Sequence, residues 1–425
     1  MTTYLFAVVG AVAAVLLVVT ARRHPGIAVL LWLLVVAFVP VWIALNIKTY
    51  VAPASIAGIV ILSSLVPTAI GRLGIADLLV GMFFVASIAP VLTGDSNKAI
   101  ILGLLLQWVV AYLVGRLLPT RIDAQWIYGA VAIVFTVVSL LALAEHFFLW
   151  NPFVGLGPAN SLHAEWGPIQ SRAGVPRVEG AFGHSIALGC SIALTLPLTL
   201  ATRFPTWVKT LMVLVMLGAV AATLSRTSFI CAMLAVVICA PMLRHGLTRS
   251  QRTMIVAVLT IGVVVLAPTL VQLFQQAGTE ATGSGSYRLD LTALIPQISI
   301  IGISGSATRD VAGVPYFGGF QSIDSELILA GLTYGWLAIL VGLICLTVAL
   351  VCVLRRRGDP ATIAIVAQLP ALATVALITQ YSMYFWFVAG LAVAAQAPGL
   401  RPGGFQSLSS HPGRAGQSGT VAASV

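Results

Sequence analysis

Residues 278–324 read GTEATGSGSYRLDLTALIPQISIIGISGSATRDVAGVPYFGGFQSID, and on both sides the chain is almost unbroken apolar sequence. This stretch alone is long, polar and rich in Gly and Ser, and it carries Glu280, Arg288, Asp290, Arg309, Asp310 and Asp324. A loop of this length inside a compact architecture is either functional or disordered, and its arginines favour function. Loops do chemistry when a rigid scaffold positions them. The flanking sequence says what that scaffold is. The chain is 59% hydrophobic and 8% charged, with a mean hydropathy of +1.05, outside the range of soluble globular domains. Repeated apolar runs of about 18–25 residues mean transmembrane helices, and the strand alternation of an outer-membrane barrel is absent. The expected fold is an all-α polytopic integral membrane bundle of about 12–13 transmembrane helices with a large extracytoplasmic loop.

Working outward from that loop, the apolar runs place helices near 3–20, 26–46, 52–70, 75–93, 99–118, 124–149, 181–201, 206–223, 226–243, 253–274, 324–354, 361–380 and 382–398. The weakest is 52–70, where Pro53 and Pro67 allow a broken or re-entrant segment. Residues 3–20 have no basic stretch before them, and Arg22 and Arg23 follow them, so they read as an uncleaved helix rather than a signal peptide. Residues 1–398 form one membrane domain. The tail 399–425 is rich in Gly, Ser and Pro and is expected to be disordered. The five cysteines all fall in apolar runs, with neither a CxxC pair nor metal-ligand spacing, and read as small buried residues.

The net charge of +10 is not a nucleic-acid signal. Arg22, Arg23, Arg72, Arg116, Arg121, Arg203, Lys209, Arg244, Arg249, Arg252 and Arg355 to Arg357 all fall after odd-numbered spans. Those ends belong in the cytoplasm by the positive-inside rule. The tail is then cytoplasmic, and loops 150–180 and 278–323 face outside. Lys48, Lys98, Arg172, Arg177, Arg226, Arg288 and Arg309 remain on the wrong side, and most of them cluster at the two large loops or an adjacent helix start. Charge placed against the topology rule is a functional hypothesis by default; the bland reading is a solvated or snorkelling side chain.

Four constellations follow. Arg177-Val178-Glu179-Gly180-Ala181-Phe182-Gly183-His184 runs directly into an apolar helix. A guanidinium binds phosphate oxygens as a bidentate fork, and a helix N-terminus adds free amides and partial positive charge. Leu224-Ser225-Arg226-Thr227-Ser228 opens another apolar helix, with Ser225 able to cap it. Tyr287-Arg288 leads a segment whose Leu289, Leu291, Leu294, Ile295 and Ile298 can form one side of a short amphipathic helix along the outer interface. Ser322-Ile323-Asp324-Ser325-Glu326 places two carboxylates at the outer end of a membrane helix, costly there unless used or paired. The bland reading of Asp324 is a helix cap with an arginine partner.

Taken in order, an Arg-x-x-Gly before a helix, a Ser-Arg at a later helix, a Tyr-Arg opening a long outer loop and a polar pair eleven residues before Gly335 resemble the O-antigen ligase and O-antigen polymerase family. Its members are bacterial polytopic membrane glycosyltransferases. The resemblance covers roughly residues 120–355, and the order and spacing of its short motifs carry it. It implies a fold of about twelve helices with a large periplasmic loop in the cytoplasmic membrane. It also implies transfer of glycan from an undecaprenyl-diphosphate carrier to an acceptor glycan or glycolipid, with neither nucleotide sugar nor metal. By the same resemblance Arg177, Arg226 and Arg288 face the lipid-linked diphosphate. Ligases of the family often carry His-Asn where this chain has Asp324-Ser325, counting back from Gly335. An aspartate can still orient or deprotonate a hydroxyl, so Asp324 and Glu326 are the expected catalytic carboxylates. Glu179 and His184 are the alternative bases near the substrate. The competing class is a transporter or flippase of the same lipid-linked oligosaccharide. Transporters show inverted repeats and helices broken at the midplane, whereas here no repeat is visible and the charges sit at the outer ends of helices. A purely structural membrane subunit explains neither the long loop nor its arginines.

Overall fold

The computed structural model describes residues 15–16, 18–46, 50–65, 73–93, 98–172, 174–242, 286–287, 289–309, 315–320 and 322–397. Most of the expected span 3–20, all of the span 253–274, the tail 399–425 and Arg288 lie outside the described residues.

The protein is mostly helical. Its helices are α1 (Pro25–Phe38), α2 (Pro53–Leu65), α3 (Ile75–Ile88), α4 (Lys98–Thr120), α5 (Ala124–Phe148), α6 (Ser185–Leu200), α7 (Thr206–Ala222) and α8 (Arg226–Met242). Then follow α9 (Glu326–Tyr334), α10 (Trp336–Leu354), α11 (Pro360–Ala367), α12 (Leu369–Thr374) and α13 (Thr379–Gln396). Three two-stranded antiparallel hairpins decorate the connections: β1–β2 (Leu45–Asn46, Tyr50–Val51), β3–β4 (Ser171–Arg172, Val175–Pro176) and β5–β6 (Ala307–Arg309, Pro315–Phe317).

Among the described residues, four stretches are long and apolar enough to cross a membrane: Ile75–Leu92, α4, α5 and α10. They turn large apolar side chains outward. On α10, Leu337, Leu340, Leu343, Ile344 and Leu354 are exposed while Ala338, Ile339 and Val341 are buried. A soluble helix would reverse that pattern, so these helices mark a membrane-embedded protein. The bundle packs around α6, which is buried from Ala187 to Leu200, its Ser191, Thr195 and Thr199 hydroxyls each donating to the carbonyl four residues earlier. Small residues let backbones touch, as expected where lipid supplies no hydrophobic drive. A Cβ on Gly115 of α4 would sit 2.0 Å from the Phe387 carbonyl oxygen of α13, and one on Gly390 would sit 2.2 Å from the Tyr112 carbonyl oxygen.

Two expected spans are broken. The run 324–354 divides at Gly335, whose φ of +90° a side chain rarely adopts; a Cβ there would meet the backbone of Ile300 and Ile301 at 2.8 Å. The run 361–380 divides at Gln368 and stops being helical after Thr374. Pro370 has no N–H to return to the Val366 carbonyl, the turn tightens so that Gln368 N–H bonds the Ile365 carbonyl, and Val375 is extended. The expected short helix after Tyr287 is present over residues 289–297. It contains a 3₁₀ turn over Thr292–Gln297, and its apolar side is used internally. Leu291, Leu294 and Ile298 bury themselves with Phe317 of the hairpin, Ile323 of the connection that follows it and Leu332 of α9, while Leu289 is exposed. Arg116 is not a solvated flanking cation. It is buried at the end of α4 and forms a bidentate pair with Asp77 of α3, Nε to Oδ1 at 2.5 Å and Nη2 to Oδ2 at 2.9 Å.

Candidate functional site

One end of the bundle gathers the C-terminal ends of α1, α5, α7 and α12 and the N-terminal ends of α6, α8, α9 and α13. The opposite end carries Asp123 at the start of α5 beside Arg203 at 3.7 Å, and Lys209, whose ammonium reaches the Leu200 and Thr202 carbonyls at the C-terminus of α6. The polar constellations read from the sequence fall at the first end.

The first is held from below by Glu145, on the last turn of α5. Its Oε2 accepts Gly180 N–H at 2.9 Å, and its Oε1 accepts Glu179 N–H at 3.2 Å and the Asn151 amide at 2.9 Å. Asn151 also donates to the Gly180 carbonyl at 3.1 Å. The chain turns here at Gly180 (φ +55°) and Gly183 (φ +61°), where a Cβ on Gly183 would strike the Trp166 carbonyl at 2.5 Å. Glu179 is buried, and its carboxylate accepts Gln170 N–H at 3.1 Å. Burial raises Glu179 to about 7; the Gln170 bond opposes the rise, Glu145 adds to it, and Arg177 counters it.

Arg177 is buried, with Nε on the Thr223 carbonyl at 3.0 Å and Nη1 on the Gln170 amide oxygen at 3.5 Å. Arg172, on the same hairpin, donates from Nη1 to the Leu224 carbonyl at 2.7 Å. Both carbonyls end α7, where helical C=O groups lack intrahelical partners and favour cations. The same turn, with Leu224 at φ +51°, passes straight into the second constellation. Ser225 accepts Ser228 N–H at 3.2 Å, as a cap should, and Arg226 follows, half-buried. Arg177 is therefore tied to the turn from which Arg226 starts, three residues after the Thr223 carbonyl it bonds.

His184 caps α6, its Nδ1 accepting Ile186 N–H at 3.2 Å. That geometry assigns the proton of the neutral ring to Nε2, so in this state His184 can donate outward but has no lone pair left to act as a base.

Asp324 does not cap its helix. Ser325 does, accepting Ile328 N–H at 3.4 Å, because the cap must stand one residue before the first helical position. Asp324 is half-buried and accepts the Ser322 hydroxyl at 3.1 Å, while the Tyr287 hydroxyl donates to the Ser322 carbonyl. The third and fourth constellations thus share Tyr287, Ser322 and Asp324. Glu326 turns the other way into the bundle. Its backbone N–H bonds the Val375 carbonyl at 3.0 Å, and its Oε2 accepts Leu377 N–H at 2.6 Å. Thr374, just before, faces Thr227 of the second constellation at 3.4 Å, and Gln380 donates to the Ala181 carbonyl at 2.7 Å. Segment 374–380, which joins the end of α12 to the start of α13, therefore links the Arg177, Arg226 and Glu326 regions.

Sequence reasoning missed Glu145, Gln170 and segment 374–380. Glu145 had a signal, since a carboxylate inside an apolar run demands a partner. The other two had none. Among the described residues, no three His, Cys, Asp or Glu side chains group as a metal site would need. No family model matches the chain, and no curated protein matches it either.

Proposed function

We propose that the chain transfers or polymerises glycan from a polyprenyl-diphosphate carrier onto an acceptor hydroxyl, in the manner of the O-antigen ligase and polymerase family it resembles. In this reading a bundle of about 12–13 helices lies in the bacterial cytoplasmic membrane, with the polar end and the long loop facing outside. The observation that supports the reading is the bond from Arg177 Nε to the Thr223 carbonyl, which ties the first constellation to the α7–α8 turn that Arg226 follows.

The acceptor oxygen attacks the anomeric carbon as the bond from that carbon to the phosphate oxygen breaks. Polyprenyl diphosphate departs with the bonding pair, and the acceptor proton passes to a carboxylate. Preorganised guanidinium groups and helix N-termini stabilise the charge gathering on the leaving diphosphate. Arg288 is the third cation of the proposal. Asp324 is the carboxylate nearer the surface and Glu326 the buried one, and either can orient and deprotonate the acceptor. Glu179 and His184 line the donor side.

Purified protein in vesicles, given polyprenyl-diphosphate-linked oligosaccharide and an acceptor, separates this reading from a flippase. Extended glycan together with free polyprenyl diphosphate supports transfer. Relocation of intact donor across the bilayer with no new glycosidic bond refutes it.

A further inference from the structure

Between α3, α10, the α11–α12 pair and α13 lies a cavity of about 150 Å³ that the proposed donor chemistry does not use. Its walls are almost wholly apolar. Phe83, Trp108 and Trp386 form a plate on one side, with ring centroids 5.3 Å (Trp108–Trp386) and 5.4 Å (Phe83–Trp386) apart. Trp108 is delivered there from a π-helical segment, Leu104–Val109, inside α4, a local distortion that tends to mark functional positions. Gly342, Ala349 and Ala389 are small residues of the lining that leave the space unfilled. The lining on α10 runs from Ile339 to Ala349, which at helical rise is roughly 15 Å, about half of a ~30 Å hydrocarbon core. An apolar cavity of this kind does not hold water.

One end is different. Glu326 is the sole carboxylate of the lining. Its Oε2 takes Leu377 N–H, and Oε1 has no hydrogen-bond partner among the described residues. A carboxylate in the wall of an apolar slot repels phosphate and fatty-acid heads and accepts a hydrogen bond from a hydroxyl.

We infer that this cavity seats one hydrocarbon chain of a neutral, hydroxyl-bearing amphiphile, with its hydroxyl on Glu326. If the glycan-transfer reading holds, this amphiphile is the acceptor, and the proton taken up in transfer goes to Glu326. The anionic donor lies on the Arg177–Arg226 side of segment 374–380. The two substrates are then sorted by the sign of the charge they meet.

The test uses the full chain in phosphatidylcholine nanodiscs and an alkyl glycoside carrying a photoactivatable diazirine in its chain. Adducts are mapped by mass spectrometry. The inference predicts adducts on the lining residues Ile339, Leu346 and Ala349 and on Phe385, Ala392 and Val393, competed by unlabelled alkyl glycoside and not by alkyl phosphate of the same chain length. Ala349→Leu with Ala389→Leu should lower the yield by roughly tenfold, and Glu326→Gln should let alkyl phosphate compete. Adducts spread over the outward residues Leu340 and Ile344, or alkyl phosphate competing equally with wild type, would overturn it. Because the readout is binding, absence of glycan transfer with these adducts intact sinks the enzyme reading and leaves the chain seat standing.

Discussion

Removing Glu145 should unfasten the turn that presents Arg177. In Glu145→Ala, Gly180 N–H and Glu179 N–H lose acceptors that stand at 2.9 Å and 3.2 Å in a buried site. Each orphaned buried donor costs about 1–3 kcal/mol, so the loss should be roughly 2–6 kcal/mol, less what the loop recovers by relaxing. Asn151 contributes little to the loss because it keeps the Gly180 carbonyl at 3.1 Å. Glu145→Gln keeps one acceptor oxygen but points an amide donor at the other N–H, so it should cost about half as much. The order wild type, Gln, Ala can be read from reversible denaturant unfolding in mixed micelles, followed by tryptophan fluorescence. If the alanine variant unfolds within about 0.5 kcal/mol of wild type, the ordinary scatter of surface substitutions, Glu145 is not the fastener described.

The Asp77–Arg116 pair gives a second test: Asp77→Ala leaves a buried guanidinium uncompensated and should cost about 3–5 kcal/mol, whereas replacing both residues by leucine should cost much less. Gly335→Ala forces a side chain into φ +90° against the Ile300 and Ile301 backbone and should destabilise by about 1–3 kcal/mol; unchanged unfolding would mean that the break between α9 and α10 is not held there. Glu179 binds its proton more tightly folded, at about 7 against the ordinary 4.5 of a glutamate. Its contribution therefore falls as pH rises from about 4.5 to about 7, and Glu179→Gln should flatten stability across that window; an unchanged slope would count against its burial. Since Ser325 is the cap, Ser325→Ala should cost about 1 kcal/mol, while Asp324→Asn should fold normally. Glycan transfer at the wild-type rate by Asp324→Asn would pass the acceptor role to Glu326, to be checked by Glu326→Gln.

The membrane character and most helices were legible because lipid demands long apolar runs, and such runs are hard to mistake. The breaks were less so. Gly335 sits in a run as apolar as its neighbours, and only the approach of the Ile300–Gly302 backbone explains it. Pro370 announced a break that the hydropathy of 361–380 hid. At the site, Arg177, Ser225 and Glu326 were visible as polar residues where apolar ones were expected. Their convergence was not, because it runs through backbone carbonyls at Thr223 and Val375, which carry no sequence signal. Arg116 misled for the opposite reason: a buried arginine and a flanking one look alike until Asp77 is brought beside it.

The most direct test of the account is single-turnover release of polyprenyl diphosphate from purified lipid-linked oligosaccharide by detergent-solubilised protein, with an acceptor present. Detergent removes sidedness, so transport cannot produce the signal. The account predicts one equivalent of free polyprenyl diphosphate per glycosidic bond formed. It also predicts rates about 10²–10³-fold lower in folded Arg226→Ala, the usual loss of one transition-state donor. Intact donor after prolonged incubation with wild type, or release that Arg226→Ala leaves unchanged, would contradict it.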